Sequence, residues 1–252
     1  MTKSLDQKIA DIRANPSGSK AFIIADAKDA DMAFGITGPG QKRPLNPEKL
    51  AKSEIPWKSL EEYRQQIREV VRQGLVDIML LSASNVEQLS MREHLFDTSH
   101  ITPAARANDA SDIWVVRGAG YTVTPSKPFR SATLNHIKCG AIECDPASPI
   151  TGADLGLYSV TFTNNLERDH ATLTAFKAFR EEAERANFRY FLEVFDPNVD
   201  AGFHPEKLDA FINDHIIRAL AGVTEKGRPV FLKIVYHGPK AMEELATYDP
   251  GN

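Results

Sequence analysis

Short apolar runs alternate with amphipathic stretches along the chain. Seven runs rich in aliphatic and aromatic residues predict β-strands. Several are apolar at every position, which is typical of strands buried on both faces. The predicted strands are 21–26, 76–82, 112–117, 137–144, 157–162, 188–195 and 229–236. Because helical patterns separate many of these runs, the chain is predicted to form an α/β fold with a parallel sheet.

Three helices are predicted from apolar stripes at helical spacing. Ser59 and Glu62 have the spacing of a capping box, and an apolar stripe follows over 60–71. Similar stripes predict helices over 166–183 and 205–220. Repeated strand–helix units are typical of a barrel or a doubly wound sheet. The first strand is not followed by Gly-x-Gly-x-x-Gly and the chain has no Walker loop, so nucleotide-binding folds are disfavoured.

Length and composition then narrow the class of protein. The chain has 252 residues, 42% of them hydrophobic, and a formal net charge of −4. One domain is expected, since α/β barrels routinely use about 250 residues. The acidic balance disfavours nucleic acid as a partner, and no apolar run approaches the roughly 18 residues that span a bilayer. The two cysteines form no framework, so a reduced, cytoplasmic protein without a membrane partner is expected.

Two long segments rich in glycine and proline interrupt the strand–helix pattern. The segment 35–56 directly follows the first predicted strand, and loops of that length usually have a function. The segment 118–138 contains no clear helix pattern. It is predicted to be a hairpin or an irregular excursion at the mouth of a barrel.

Lys233 is the most informative candidate for chemistry. It lies inside an apolar strand, where burial would disfavour the ammonium and leave the free amine that attacks a carbonyl carbon. Glu193 lies in the preceding predicted strand, on the same face as Phe191 and Phe195, and is suited to acid–base work. Two structural alternatives stay open: Lys233 lies on an outward face with its charge in water, or the two residues form a structural ion pair.

Other candidates lie at or near the ends of predicted strands. Asp26, Asp29 and Asp31 form an acidic turn whose spacing permits a Mg²⁺ site, although such clusters are often solvated loops or helix caps. Tyr158 is in an apolar strand, where a tyrosine usually belongs to the core. His237 follows the last strand and either contacts a ligand or hydrogen-bonds within its loop.

Four segments resemble successive barrel segments of class I aldolases. The family includes the archaeal-type fructose-bisphosphate, the tagatose-bisphosphate and the sulfofructose-phosphate aldolases. The segments are FIIADAKDA, SVTFTNN, FLEVFDPN and FLKIVYHGPKAMEEL. The resemblance implies a single (β/α)8 TIM-barrel domain over 1–252 and the activity of an aldehyde-lyase that makes or breaks a C–C bond in a phosphorylated ketose.

The resemblance also implies roles for individual residues. Lys233 would form the Schiff base, Glu193 would act as acid and base, and Asp26 would orient the substrate. Tyr158, His237 and Lys28 are expected to contact the sugar phosphate. No metal or other cofactor is required, and a homo-oligomer is expected.

Three departures from the family pattern bear on this interpretation. Tyr158 stands where the tagatose branch has a lysine, and Phe195 stands where the archaeal branch has a tyrosine proton donor. The sequence ends at ATYDPGN, sixteen residues after Tyr236. Because the Schiff-base strand is the sixth of eight in this family, the barrel is expected to lack its last one or two βα units, and the phosphate-binding residues stay unassigned.

Two other classes of function stay open. One is a metal-dependent barrel lyase or hydrolase that uses Asp26, Asp29 or Asp31 with Glu193. The other is a non-catalytic barrel subunit, which is favoured if Lys233 points toward the covering helices.

Overall fold

The computed structural model describes residues 2–43, 55–109, 115–120 and 123–248. The chain divides into two compact units. The first comprises Met1–Arg106 and Asn135–Ala153, and the second comprises Ala107–Leu134 and Asp154–Asn252.

Six strands form one sheet in the order β1-β2-β3-β4-β5-β6. Their bounds are β1 Ala25–Lys28, β2 Ile78–Leu81, β3 Thr102–Arg106, β4 Leu155–Thr161, β5 Arg189–Phe195 and β6 Leu232–Ile234. The pairs β1–β2, β2–β3, β4–β5 and β5–β6 are all parallel. In the described part of the chain this order starts at β1 and stops at β6 without closing. The α/β class is therefore confirmed, whereas the predicted (β/α)8 barrel is wrong and the sheet is open.

Eight α-helices accompany the strands within the described ranges. They are α1 Ser4–Ala14, α2 Ala30–Phe34, α3 Leu60–Gln73, α4 Ala83–Val86, α5 Leu134–Cys139, α6 Leu166–Arg185, α7 Leu208–Leu220 and α8 Pro239–Tyr248. Short 3-10 turns lie at Gly35–Thr37, Pro205–Lys207 and Glu225–Gly227, and a π-helical segment spans Glu87–Arg92. The three helices predicted from apolar stripes correspond to α3, α6 and α7 with its preceding 3-10 turn, and are confirmed.

The first unit contains β1, β2 and β3, and the long helix α3 has a defined cap at each end. At the start of α3, Ser59 Oγ accepts a hydrogen bond from the Glu62 amide at 3.2 Å, and the Ser59 amide donates to Glu62 Oε2 at 2.7 Å. This is the predicted capping box. Gly74 ends α3 with a φ of 64°, a left-handed conformation that glycine adopts without steric cost.

The second unit contains β4, β5 and β6 with α6, α7 and α8. An aromatic cluster fixes α6 against the sheet. The Tyr158 ring stacks on Phe179 with centroids 4.3 Å apart and lies 5.4 Å from Phe176. Tyr190 meets the Phe179 ring edge-on at 5.0 Å. This side of β4 and β5 therefore belongs to the hydrophobic core.

Two of the predicted strands have no counterpart among the described strands. The range 137–144 is not a strand, because α5 continues to Cys139 and Gly140 then takes a φ of 76°. Of the range 112–117, residues 112–114 lie outside the described residues, and residues 115–117 are not in a strand. The long loop 35–56 likewise lies partly outside them, over 44–54.

Cys139 and Cys144 form a disulfide. The expectation of two reduced thiols is therefore wrong for this structure, although the pair constrains only a local loop. Among the described residues, no helix is long and apolar enough to cross a membrane.

Candidate active site

The parallel register of the second unit places three polar residues in one row. Two of them were predicted site residues and one was not. Ser159 on β4 lies opposite Glu193 on β5, which lies opposite Lys233 on β6. Side chains alternate across a strand, so all three share one face of the sheet. Tyr158 occupies the other face with α6. Lys233 is therefore on the face that α6 does not cover.

Lys233 and Glu193 are in direct contact. The Lys233 Nζ donates a hydrogen bond to Glu193 Oε1. The lysine side chain is 49% exposed, whereas that of Glu193 is 6% exposed. The expected burial of Lys233 is wrong, because the buried member of the pair is the carboxylate. A buried carboxylate is stable only with a partner, and the half-exposed lysine side chain supplies one.

Ser159 occupies the other oxygen of the same carboxylate. Its hydroxyl donates to Glu193 Oε2 at 2.7 Å. Asn108 in turn bonds both backbone groups of Ser159: Asn108 Nδ2 donates to the Ser159 carbonyl at 2.8 Å, and the Ser159 amide donates to Asn108 Oδ1 at 2.7 Å. Both residues are completely buried. The sequence analysis missed both, since only the register of β4 against β5 identifies them.

A second polar pair lies just beyond the carboxyl ends of β5 and β6. His237 Nε2 and Asp196 Oδ1 are 2.9 Å apart. The two residues follow Glu193 and Lys233 by three and four positions, so they lie at the same edge of the sheet. A carboxylate on one ring nitrogen fixes the orientation of an imidazole. Sequence analysis named His237 but did not identify Asp196.

Aromatic rings lie on the same face, one row closer to the amino ends of the strands. Phe191 and Phe231 stack with their centroids 4.8 Å apart. They share the face of Glu193 and Lys233 because each precedes its polar neighbour by two residues. The ion pair is therefore bordered by an apolar surface on one side and by the polar pair His237–Asp196 on the other.

The segment predicted as an irregular excursion contacts the loop after β5. Asn198 Nδ2 donates to the Thr124 carbonyl at 2.8 Å, and the Ser126 amide donates to Asn198 Oδ1 at 3.1 Å. Asp109 and Phe129 form an isolated antiparallel bridge at the base of the segment. The described part of the excursion is thus attached near the carboxyl end of β5.

Tyr158 is not brought together with the ion pair. Its side chain is completely buried, and among the described residues its hydroxyl has no hydrogen-bond partner. Burial raises the pKa of Tyr158 to about 12. The predicted contact with substrate therefore has no support from this position, because the ring packs in the core beside α6.

The remaining predicted residues belong to the first unit. Asp26 Oδ1 and Lys28 Nζ are 2.8 Å apart and half-buried. Asp26 is the second residue of β1 rather than the last of a strand over 21–26. The structure therefore pairs Asp26 with Lys28.

The other two aspartates of the acidic turn have different partners. Asp29 forms a buried ion pair with Arg106. Asp31 Oδ2 accepts hydrogen bonds from Ser82 Oγ at 2.6 Å and from Asn85 Nδ2 at 3.2 Å. Burial raises the pKa of Asp31 above its ordinary value. Within the described ranges, no three His, Cys, Asp or Glu side chains converge as metal ligands would.

No protein-family model and no curated protein sequence matches this chain. The resemblance to aldolases therefore stays a prediction, and the function is argued from the geometry of the second unit.

Proposed function

We propose that the chain is a class I aldolase-type lyase that makes or breaks a C–C bond in a phosphorylated ketose through a Schiff base on Lys233. The observation that carries the proposal is the contact between the amine of a half-exposed lysine side chain and a buried carboxylate. A lysine nucleophile needs a base that removes its proton before it attacks and an acid that returns one afterwards. Glu193 is the group in contact with that amine.

The first half of the reaction forms the iminium. Glu193 takes a proton from the Lys233 ammonium, and the free amine attacks the ketone carbon while the carbonyl electrons move to oxygen. Proton transfers within the pair give a neutral carbinolamine. Glu193 then protonates its hydroxyl group, water leaves, and the nitrogen lone pair forms the C=N bond. Glu193 is again a carboxylate when the cationic iminium is complete.

The second half breaks the carbon skeleton. Glu193 removes the proton of the hydroxyl group beside the scissile bond, and the C–C bond electrons move toward the iminium. An aldehyde and an enamine result. The protonated Glu193 returns its proton to the enamine carbon, and water hydrolyses the new iminium to release the second product and Lys233.

The other predicted site residues have supporting roles in this proposal. His237, oriented by Asp196 at the carboxyl edge of the sheet, is suited to hydrogen-bond a substrate hydroxyl or phosphate oxygen. Asp26 and Lys28 are proposed, from the resemblance alone, to contact substrate. A phosphorylated substrate, a homo-oligomer and a cytoplasmic location also rest on the resemblance.

Borohydride trapping tests this function. The chain is incubated with dihydroxyacetone phosphate or with a panel of ketose phosphates, reduced, and analysed by peptide mass spectrometry. We expect a secondary-amine adduct on Lys233 that is lost in Lys233→Met and retained in Lys207→Met, which removes an exposed lysine of the same unit. A folded protein with no adduct, or with adducts spread over surface lysines, overturns the proposal.

The effect of a metal chelator on turnover distinguishes the proposed function from that of a metal-dependent lyase or hydrolase. A Schiff-base reaction is expected to proceed at the same rate after dialysis against EDTA, because the protonated imine withdraws the electrons. Loss of turnover with EDTA and its return with added Mg²⁺ would favour the metal-dependent class instead.

A further inference from the structure

The side-chain amide of Asn108 takes the place of a neighbouring backbone beside β4. It both donates to the Ser159 carbonyl and accepts from the Ser159 amide, at 2.8 and 2.7 Å. In a sheet, these two backbone groups of Ser159 would bond the backbone of a neighbouring strand. The preceding amide, that of Ala107, donates to the Leu157 carbonyl at 2.8 Å, so the side chain continues a backbone contact by two residues. The backbone of Ser159 is therefore fixed on the side away from β5.

The fixed backbone determines where the Ser159 hydroxyl lies. It donates to Glu193 Oε2, while Lys233 donates to Oε1 of the same carboxylate. Each carboxylate oxygen thus has its own donor, one neutral and one cationic. With Oε2 bonded to Ser159, the oxygen that faces Lys233 in this structure is Oε1.

A structural role alone does not require these residue types. Their neighbours Leu157, Tyr158 and Val160 are buried, and an aliphatic residue at 159 would fill the same strand without a polar group to satisfy. A buried hydroxyl becomes favourable here because it donates to an ionised acceptor, and such bonds are stronger than those between neutral groups. The buried Ser159 hydroxyl is thus explained by its hydrogen bond to the Glu193 carboxylate.

We infer that Ser159, held by Asn108, is a positioning residue that orients the Glu193 carboxylate toward Lys233. The inference deepens the proposed function and rests on it for its effect on catalysis. Ser159 acts through Glu193 and need not touch substrate.

The test compares Ser159→Ala with the wild type by two measurements. The first is the 13C chemical shift of the Glu193 carboxyl carbon at pH 7, assigned with Glu193→Gln, which is expected to change when the Ser159 donor is lost. The second is the rate of Lys233 adduct formation at pH 7, which is expected to fall about 10- to 100-fold.

Two further variants separate positioning from loss of stability. Ser90→Ala is the matched control, since it removes a buried hydroxyl that donates to the Thr151 and Gly152 carbonyls in the first unit. It should lose comparable stability and leave both measurements at wild-type values. Asn108→Asp keeps the shape but sets a carboxylate oxygen against the Ser159 carbonyl, and should lower the rate of adduct formation as Ser159→Ala does.

The outcomes distinguish the two proposals. If Ser159→Ala has the wild-type carboxyl chemical shift and the wild-type rate of adduct formation, the positioning role is overturned and the aldolase function stands. If the wild type forms no adduct but the carboxyl chemical shift changes in Ser159→Ala, the aldolase function fails and the positioning of Glu193 stands. An equal shift in Ser90→Ala would show a general loss of packing and overturn the assignment to Ser159.

Discussion

Tyr158 and Ser159 are neighbours on β4 that face opposite sides of the sheet. The Tyr158 ring packs on Phe179 of α6, whereas the Ser159 hydroxyl donates to Glu193. One residue of displacement along the strand thus separates the hydrophobic core from the candidate active site. The two positions give opposite expectations for the loss of a hydroxyl group.

The Tyr158 hydroxyl is expected to contribute nothing to stability. It is buried, and the described residues offer it no hydrogen-bond partner, so Tyr158→Phe removes an uncompensated polar group. The free energy of unfolding in urea should stay the same or rise by up to about 1 kcal/mol. Tyr158→Ala, which also removes the ring, should lose about 3–5 kcal/mol. A Tyr158→Phe variant that loses more than about 1 kcal/mol would reveal a hydrogen bond to the hydroxyl.

The stability of the Lys233–Glu193 pair is expected to be strongly non-additive. Lys233→Met leaves a buried carboxylate without its cation and should cost about 1–3 kcal/mol. Adding Glu193→Gln to it removes the charge and should recover most of that loss. Urea unfolding of both single variants and the double variant measures the coupling free energy. Simple additivity of the two losses would contradict the pairing.

Asp31 is expected to make stability fall as pH rises. Burial raises its pKa in the folded state above the ordinary value of 3.8, so the folded chain holds this proton more tightly than the unfolded chain. Its contribution is complete below pH 3.8 and is lost as pH rises through the raised pKa. Asp31→Asn removes the titration and should stabilise the protein at neutral pH more than at acidic pH. Urea midpoints of both proteins between pH 4 and 8 test this, and parallel curves would contradict it.

Reduction of the disulfide is expected to destabilise the protein only modestly. Cys139 and Cys144 are separated by five residues, so the loop that they close is short. The loss of loop-closure restraint in the unfolded chain corresponds to about 2 kcal/mol. Thermal unfolding with and without a phosphine reductant measures the effect. The Cys139→Ser/Cys144→Ser variant is the control, and its melting temperature should not respond to reductant.

Local sequence patterns identified the elements whose residues favour the secondary structure that they adopt. The capping box of α3 and the apolar stripes of α6 and α7 are local features, and the structure has all three helices. The strand β3 escaped notice because Thr102–Arg106 contains a proline and two alanines, which have low strand propensity. The range 137–144 has the opposite conflict, since its isoleucines favour a strand but its first three residues end a helix.

The residues of the candidate site also divide into those that sequence patterns identify and those that they do not. Lys233 stands out in sequence because a charge interrupts an apolar run, and Glu193 stands out for the same reason. Ser159 and Asn108 carry no such signal, because serine and asparagine occur in many environments. Their importance depends on register, and register follows from long-range pairing rather than from local pattern.

The ladder between β5 and β6 joins only three residue pairs, with Lys233 at its centre. Its other β6 residues, Leu232 and Ile234, are both aliphatic and would tolerate more than one alignment. A slip of one residue would put one of them opposite Glu193 and leave a buried carboxylate facing a hydrocarbon. The salt bridge therefore selects against misaligned pairing, so that β6 adds to the sheet in a single alignment.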